Sequence, residues 1–309
     1  MISRCFELPS CGTKGVRWHY ERLKEDFWMT TITETFALNN GLEMPKVGFG
    51  TWQTKPGQET YEAVSRALTA GYRFIDTAKA YRNEASVGEA IRDSDVARED
   101  LFIQTKLPAE SKTYDETLAD FESSLAALDL DYVDSYIIHA PWPWAQMGSN
   151  HDAENREVWR AMQTIYQSGR AKAIGVSNFN SHDLNNLLTW DGLTVKPAVD
   201  QIQYYVGHTQ ASIVDTATAN EIVVQAYSPL ATGGLVDSPE LERVAGNYGV
   251  SIPQLALRFV IQNGVAPLPK ARSMAHVQAN AQLDFTINEQ DMAFLNRLTD
   301  NNGWHPVGD

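Results

Sequence analysis

The sequence predicts a closed (β/α)8 barrel of the TIM barrel type, with an N-terminal β-hairpin capping the barrel bottom and a short C-terminal tail. Three observations carry that expectation. Short apolar runs alternate with amphipathic helical patterns at a spacing of about 25–35 residues, with no change of composition between repeats. Eight such runs occur, at 47–50, 73–76, 101–106, 132–139, 171–176, 198–201, 222–226 and 265–268. Almost every run stops at a polar or ionisable residue, and strand ends are where a barrel builds its site. An open doubly wound sheet is the alternative. It is weakened because Gly48-Phe49-Gly50-Thr51-Trp52-Gln53 starts like a phosphate-binding fingerprint but has Gln53 where the third glycine belongs.

Residues 1–28 lack the apolar core of a secretory signal and are read as a poorly ordered N-terminal extension, with 29–309 as a single barrel domain. Thr35-Phe36-Ala37-Leu38, Asn39-Asn40-Gly41 and Leu42-Glu43-Met44 read as strand, turn and strand. The first barrel strand then leads to a helix over 59–70. Thr113 and Glu116 make a capping box ahead of a helix over 118–128. Ser238-Pro239 supplies an N-cap with proline at the first helical position, and Ser251 with Gln254 a further box. Asn288 caps a last helix over 289–298, expected to pack outside the barrel.

Bulk properties restrict function. With 309 residues, 43% hydrophobic, the chain can bury a sizeable core, and no apolar run is long enough to span a membrane. A net charge of -14 argues against nucleic acid and anionic membrane surfaces as partners, while a small anion remains compatible with a local Lys/Arg cluster. Cys5 and Cys11 are the only cysteines, which makes a reducing cytoplasm the expected compartment. The histidines lie far apart and show no metal-ligand spacing, so no metal is expected. A monomer is the expected state.

The strand ends supply Gly50-Thr51, Asp76, Lys106, His139, Ser177-Asn178, Gln201, Tyr227 and Lys270, with Tyr81 five residues beyond Asp76. A tyrosine, with a pKa of about 10, is a poor proton donor near neutrality. A neighbouring ammonium is expected to lower that pKa, and a buried aspartate to hold the ammonium charged and in place. A histidine can donate a hydrogen bond to a substrate oxygen or relay the proton. Together Asp76, Tyr81, Lys106 and His139 suit delivery of a proton to an oxygen on which negative charge is developing. Carbonyl reduction is one reaction with that need. Each residue also has a bland reading, as a helix cap, a packed ring, a surface charge or a structural hydrogen-bonder.

From about Phe36 onward the chain resembles the aldo-keto reductase family. The resemblance rests on Gly71-Tyr72-Arg73-Phe74-Ile75-Asp76-Thr77-Ala78 with Tyr81, Asn83-Glu84, Val87-Gly88 and Ala90-Ile91, on Lys106 after its strand, and on Tyr136-Ile137-Ile138-His139. Ile174-Gly175-Val176-Ser177-Asn178-Phe179, Ala226-Tyr227-Ser228-Pro229-Leu230 and Leu268-Pro269-Lys270 complete it. It implies NAD(P)H-dependent reduction of a small carbonyl substrate, with Asp76, Tyr81, Lys106 and His139 as the catalytic tetrad. It implies Ser177, Asn178 and Gln201 on the carboxamide and Tyr227 stacked on the nicotinamide. Gly50, Thr51, Ser228, Leu230 and the Gly233-Gly234 loop would lie along the rest of the cofactor. A non-catalytic, nucleotide-binding redox-sensing subunit of the same fold is the rival, and the complete tetrad argues against it.

The sequence departs from the family at the adenosine end. Members that prefer NADPH carry serine after the lysine, then arginine, glutamate and asparagine, whereas here Lys270 is followed by Ala271, with His276 at the arginine position and Ala279 at the glutamate. Lys270, Arg272, His276 and the retained Asn280 are the residues expected to bind this end of the cofactor, with Lys270 and Arg272 able to meet a 2′-phosphate. Loss of one charge-assisted contact, about 1.5–3 kcal/mol, predicts weakened NADPH preference and measurable NADH use. Trp52, Trp142, Trp144 and Trp304 are expected to wall the substrate pocket, and the short tail 301–309 to leave it open to small aldehydes, ketoaldehydes or keto sugars.

Overall fold

The computed structural model describes residues 30–300, so the extension over 1–28 and the tail bearing Trp304 lie outside the described residues. A hairpin of β1 (Thr35–Ala37) and β2 (Glu43–Pro45) comes first, paired antiparallel. The barrel strands are β3 (Phe49–Gly50), β4 (Phe74–Asp76), β5 (Phe102–Leu107) and β6 (Val133–Ile138), then β7 (Ala171–Ser177), β8 (Val199–Gln203), β9 (Val223–Tyr227) and β10 (Ala266–Pro267). They run in sequence order as one 8-stranded sheet whose adjoining strands pair in parallel. Gly48 N donates to Pro267 O and Gly50 N to Pro269 O, each at 3.0 Å, which joins first strand to last and closes the barrel. That seam leaves little room: a Cβ on Gly48 would lie 2.5 Å from the Leu268 side chain. The last strand is short because Pro267 and Pro269 have no N–H to donate.

Alternation along the strands explains what faces inward. Phe74 and Phe102 join one apolar cluster with Ile137, Val199 and Leu268, while Ile75 and Ile103 pack in the outer core between sheet and helices. With a period of two, Asp76, Gln104 and Lys106 share the lumen side with those phenylalanines. Leu38 and Met44 of the hairpin belong to the inner cluster, so the hairpin plugs the barrel bottom as expected. Asn39 and Asn40 fix it there by donating to Pro197 O and Lys172 O.

All eight predicted strands are present, with ends shifted by a few residues. The helix expected from 118 begins at Tyr114, directly after the Thr113–Glu116 box, because that cap satisfies the first turn's N–H groups. Ser238, Ser251 and Asn288 cap their helices, and the final helix is Glu289–Leu295. Gly88 lets the helix Glu84–Arg92 approach the end of Tyr114–Leu128; a Cβ there would sit 1.9 Å from Leu128 O.

Candidate active site

Asp76 is the last residue of β4, and its backbone carbonyl is braced by the neighbouring strand end. Thr51 N and Oγ1 both donate to Asp76 O at 3.0 Å. Beyond Asp76 the chain makes a short 3-10 turn, Lys79–Tyr81, that Arg82 ends in the left-handed region at φ 60°. Fully buried Asn83 anchors the turn. Its Nδ2 donates to Thr51 O and Thr54 Oγ1, both at 3.0 Å, and its Oδ1 accepts from Thr77 Oγ1 at 2.9 Å. Sequence reasoning did not single out Asn83, although its position directly before a helix start was visible. The Lys79–Asp120 ion pair at 2.6 Å ties down the outer side of the same turn.

Lys106 is 0% exposed, and its ammonium is fully occupied. Nζ donates to Asp76 Oδ1 and Oδ2 at 2.6 and 2.7 Å and to Thr77 O at 2.8 Å. Burial lowers the Lys106 pKa, opposed by the Asp76 charge and by Glu84. The same Nζ lies 5.0 Å from the Tyr81 ring centroid. His139, at the end of β6, meets the Tyr81 ring edge to face at 5.5 Å. The four tetrad candidates therefore converge on one side of the barrel.

One electrostatic expectation is corrected. Tyr81 was expected to titrate below a free phenol because of its ammonium neighbour. Instead burial, then the charge of Asp76, then Tyr227 hold its pKa well above 10.0. The first reason is burial, which disfavours the charged phenolate; the Asp76 charge adds to it, while the Lys106 ammonium is held on both Asp76 oxygens. Tyr81 is a protonated phenol throughout the neutral range.

His139 is 8% exposed, and burial followed by the Lys106 charge depresses its pKa from 6.5 to about 3. The imidazole is therefore neutral near pH 7, and its Nδ1 has no protein partner. The unfolded chain takes up this proton as pH falls through 6.5 while the folded state resists it, so stability should decline from there towards about pH 3. Urea unfolding at about pH 7 and about pH 5 checks this, and His139→Gln should flatten the difference. An unchanged slope in that variant would contradict the assignment.

The residues expected at the nicotinamide end form one linked network. Ser177 Oγ donates to Gln201 O at 2.7 Å, Asn178 Nδ2 to His139 O at 2.8 Å, and Tyr227 Oη to Asn178 Oδ1 at 2.8 Å. Gln201 Nε2 reaches down to Asp76 Oδ1 at 3.1 Å. Asn178, Ser228, Ala231 and Thr232, in the loops after β7 and β9, all hold positive φ without being glycine. Such strain persists where the surroundings impose it, typically at binding sites. Leu230 lies between these strained residues, half-buried.

At the adenosine end, Lys270 is half-buried, and its pKa is lowered by burial and then by Arg272. Arg272 is exposed, 3.7 Å from Glu59 Oε1, and Arg66 Nη1 donates to Arg272 O. His276 is exposed on the helix Met274–Ala281, and Asn280 is buried on the same helix. Of the tryptophans, Trp144 stacks edgewise on His139 at 5.5 Å, and Trp142 lies behind it at 5.3 Å, 5% exposed. Trp52 is 45% exposed in the loop after β3. Trp304 is outside the described residues.

A nicotinamide dinucleotide fits this chemistry. An imidazole nitrogen without a protein partner lies within the tetrad, strained loop residues follow β7 and β9, and cationic side chains follow β10. Among the described residues no group of His, Cys, Asp and Glu could hold a metal, and no helix is long and apolar enough to cross a membrane.

The sequence profile of the Aldo/keto reductase family matches residues 46–300. An uncharacterized oxidoreductase of Bacillus subtilis, YtbE, is 40% identical over 279 residues, covering 88% of this chain and 96% of that protein. A glyoxal reductase of the same organism is 39% identical over 270 residues, covering 87% and 94%. Among solved structures, an aldo-keto reductase from a Medee basin deep-sea metagenome library superposes with TM-score 0.82 at 34% identity, covering 89% of this chain and 98% of that one. An aldo-keto reductase complexed with NADPH does so at 0.80 and 34%, covering 88% and 89%. With its closed barrel and converging strand ends, this chain belongs to the aldo/keto reductase family.

Proposed function

We propose that the protein reduces small aldehydes and ketones, including ketoaldehydes and keto sugars, to alcohols, using NADPH and to a measurable extent NADH. The observation that carries this reading is the unbroken contact chain from Asp76 through Lys106 to Tyr81 and His139. The bound nicotinamide supplies hydride to the carbonyl carbon. Tyr81, a neutral phenol, gives its proton to the carbonyl oxygen, so the product is the alcohol and the tyrosine is reprotonated from solvent. Lys106 compensates the phenolate left behind, and Asp76 keeps Lys106 charged and aimed. Neutral His139 orients the carbonyl by a hydrogen bond, with Trp144 and Trp142 as an apolar wall and Trp52 at the rim. Asn178 links His139 to Tyr227, so one network fixes carbonyl and cofactor ends together. The relative that reduces glyoxal and the neighbour complexed with NADPH support the same substrate and cofactor classes. A monomer in the cytoplasm is part of this reading.

A panel of methylglyoxal, a nitrobenzaldehyde and a keto sugar, run with both cofactors, tests it. Turnover with at least one carbonyl is expected, and tight NADPH binding without turnover of any would favour a non-catalytic role.

Cofactor choice follows from the exposed His276. His276→Arg restores a fixed charge and should tighten NADPH binding by about tenfold, the smaller end of one charge-assisted contact, with NADH binding unchanged. Fluorescence titration of both cofactors measures it. Equal tightening for both would place position 276 away from the 2′-phosphate. A wild-type NADH KM several thousand-fold above that for NADPH would contradict dual use.

A further inference from the structure

Between Asp76 and the apolar layer of Phe74 and Phe102, the barrel lumen holds a layer of carboxamides. Gln104 on β5, Gln201 on β8 and Gln225 on β9 are each essentially unexposed. The strand register brings them together: Asp76 stands opposite Gln104, and Gln201 opposite Gln225. An ionised carboxylate can only accept, which fixes every amide in turn. Gln104 and Gln201 must present Nε2 to Asp76 Oδ1, at 2.8 and 3.1 Å. The same two Nε2 groups also reach Gln225 Oε1, at 2.8 and 2.9 Å, so Gln225 must present its oxygen to them. Its Nε2 is then left for Gln104 Oε1 at 3.0 Å and Met44 Sδ at 3.2 Å. The network has one self-consistent orientation. It runs from the hairpin plug at the barrel bottom to the acid under the active site.

We propose that Gln104 and Gln225 are positioning residues of the reductase reaction, holding the Asp76 carboxylate on Lys106 and thereby setting how readily Tyr81 gives up or takes back its proton. The inference rests on the function proposed above. Without the amides, Asp76 would keep only its lysine and Gln201, and more of its negative charge would act on Tyr81. The groups facing Tyr81 are Asp76 from β4, Lys106 from β5, His139 after β6 and Tyr227 from β9, with Glu84 acting through Lys106. Of these, Gln104 and Gln201 bond to Asp76 alone, and Gln225 reaches it through them. Their effect on the phenol therefore runs through that carboxylate.

Alcohol oxidation by the full chain with NADP+ is the sensitive direction, because Tyr81 must then accept the proton. Gln104→Leu removes one donor to Oδ1, so Tyr81 should hold its proton more tightly. The ascending limb of kcat against pH should move to higher pH by about half a unit to one unit, with NADP+ affinity near wild type and a lower Tm, because buried Gln225 Nε2 loses its Gln104 partner. Gln225→Met leaves both donors on Asp76 but frees their orientation, and should shift the limb in the same direction by less. A lower kcat with an unmoved limb in Gln104→Leu would mean a purely structural role and overturn the inference. If Gln104→Leu does not fold, an unmoved limb in Gln225→Met overturns it equally. Wild-type protein showing no Tyr81-dependent turnover would instead sink the proposed function, and the inference with it.

Discussion

Tyr81→Phe should lower kcat for carbonyl reduction by about 10²–10⁴-fold, the usual contribution of a positioned general acid, while NADPH binds as before. The substitution removes one oxygen and keeps the ring. The edge-to-face contact with His139 at 5.5 Å and the Lys106 contact at 5.0 Å both survive, so the site should keep its shape. What is lost is the only hydroxyl of the tetrad. Lys106 cannot replace it, because its ammonium protons point at Asp76 and Thr77. Neutral His139 could relay a proton only weakly, its pKa being about 3. Residual turnover should therefore be small and KM for the carbonyl little changed. Steady-state kinetics with fluorescence titration of NADPH on the same sample decide the point. If the variant lost cofactor binding, the hydroxyl would belong to the cofactor site and the assigned role would be misplaced.

The second large effect concerns the buried ion pair. Lys106→Met leaves the Asp76 carboxylate buried with only Gln104 and Gln201 as donors. Breaking a buried pair from one side costs about 3–5 kcal/mol, so the urea midpoint and Tm should fall clearly. Turnover should fall as well, since the phenolate would form beside an uncompensated negative charge. The double variant Lys106→Met/Asp76→Asn separates the two effects. With both charges gone, the neutral pair should regain part of the stability, yet turnover should stay lost. Recovery of turnover together with stability would show that the pair matters to folding alone.

How much of this was legible beforehand differs from residue to residue. The barrel and its strand ends were readable because short apolar runs and abrupt polarity changes are local signals, and Asp76, Lys106 and His139 sit at such changes. The capping boxes at Thr113 and Ser251 were readable for the same reason. Gln104 and Gln225 were missed because they lie inside strands and their partnership spans 121 residues of sequence. Parity offered one signal: Gln104 stands two residues before Lys106 and so must share its lumen face. The state of Tyr81 was misjudged because sequence gives proximity to a lysine, whereas the burial that raises the phenol's pKa is not visible in it. The depressed His139 titration depends on burial, which a histidine after a strand does not announce.

In the proposed reaction these residues deliver a proton to the carbonyl undergoing reduction. Its most direct test mixes wild-type protein and NADPH with a 2-ketoaldehyde, following nicotinamide oxidation, product alcohol and proton uptake together. One cofactor oxidised and one proton taken up per alcohol formed is the expected result. Tight NADPH binding with no alcohol, or cofactor oxidation without matching alcohol, would contradict it.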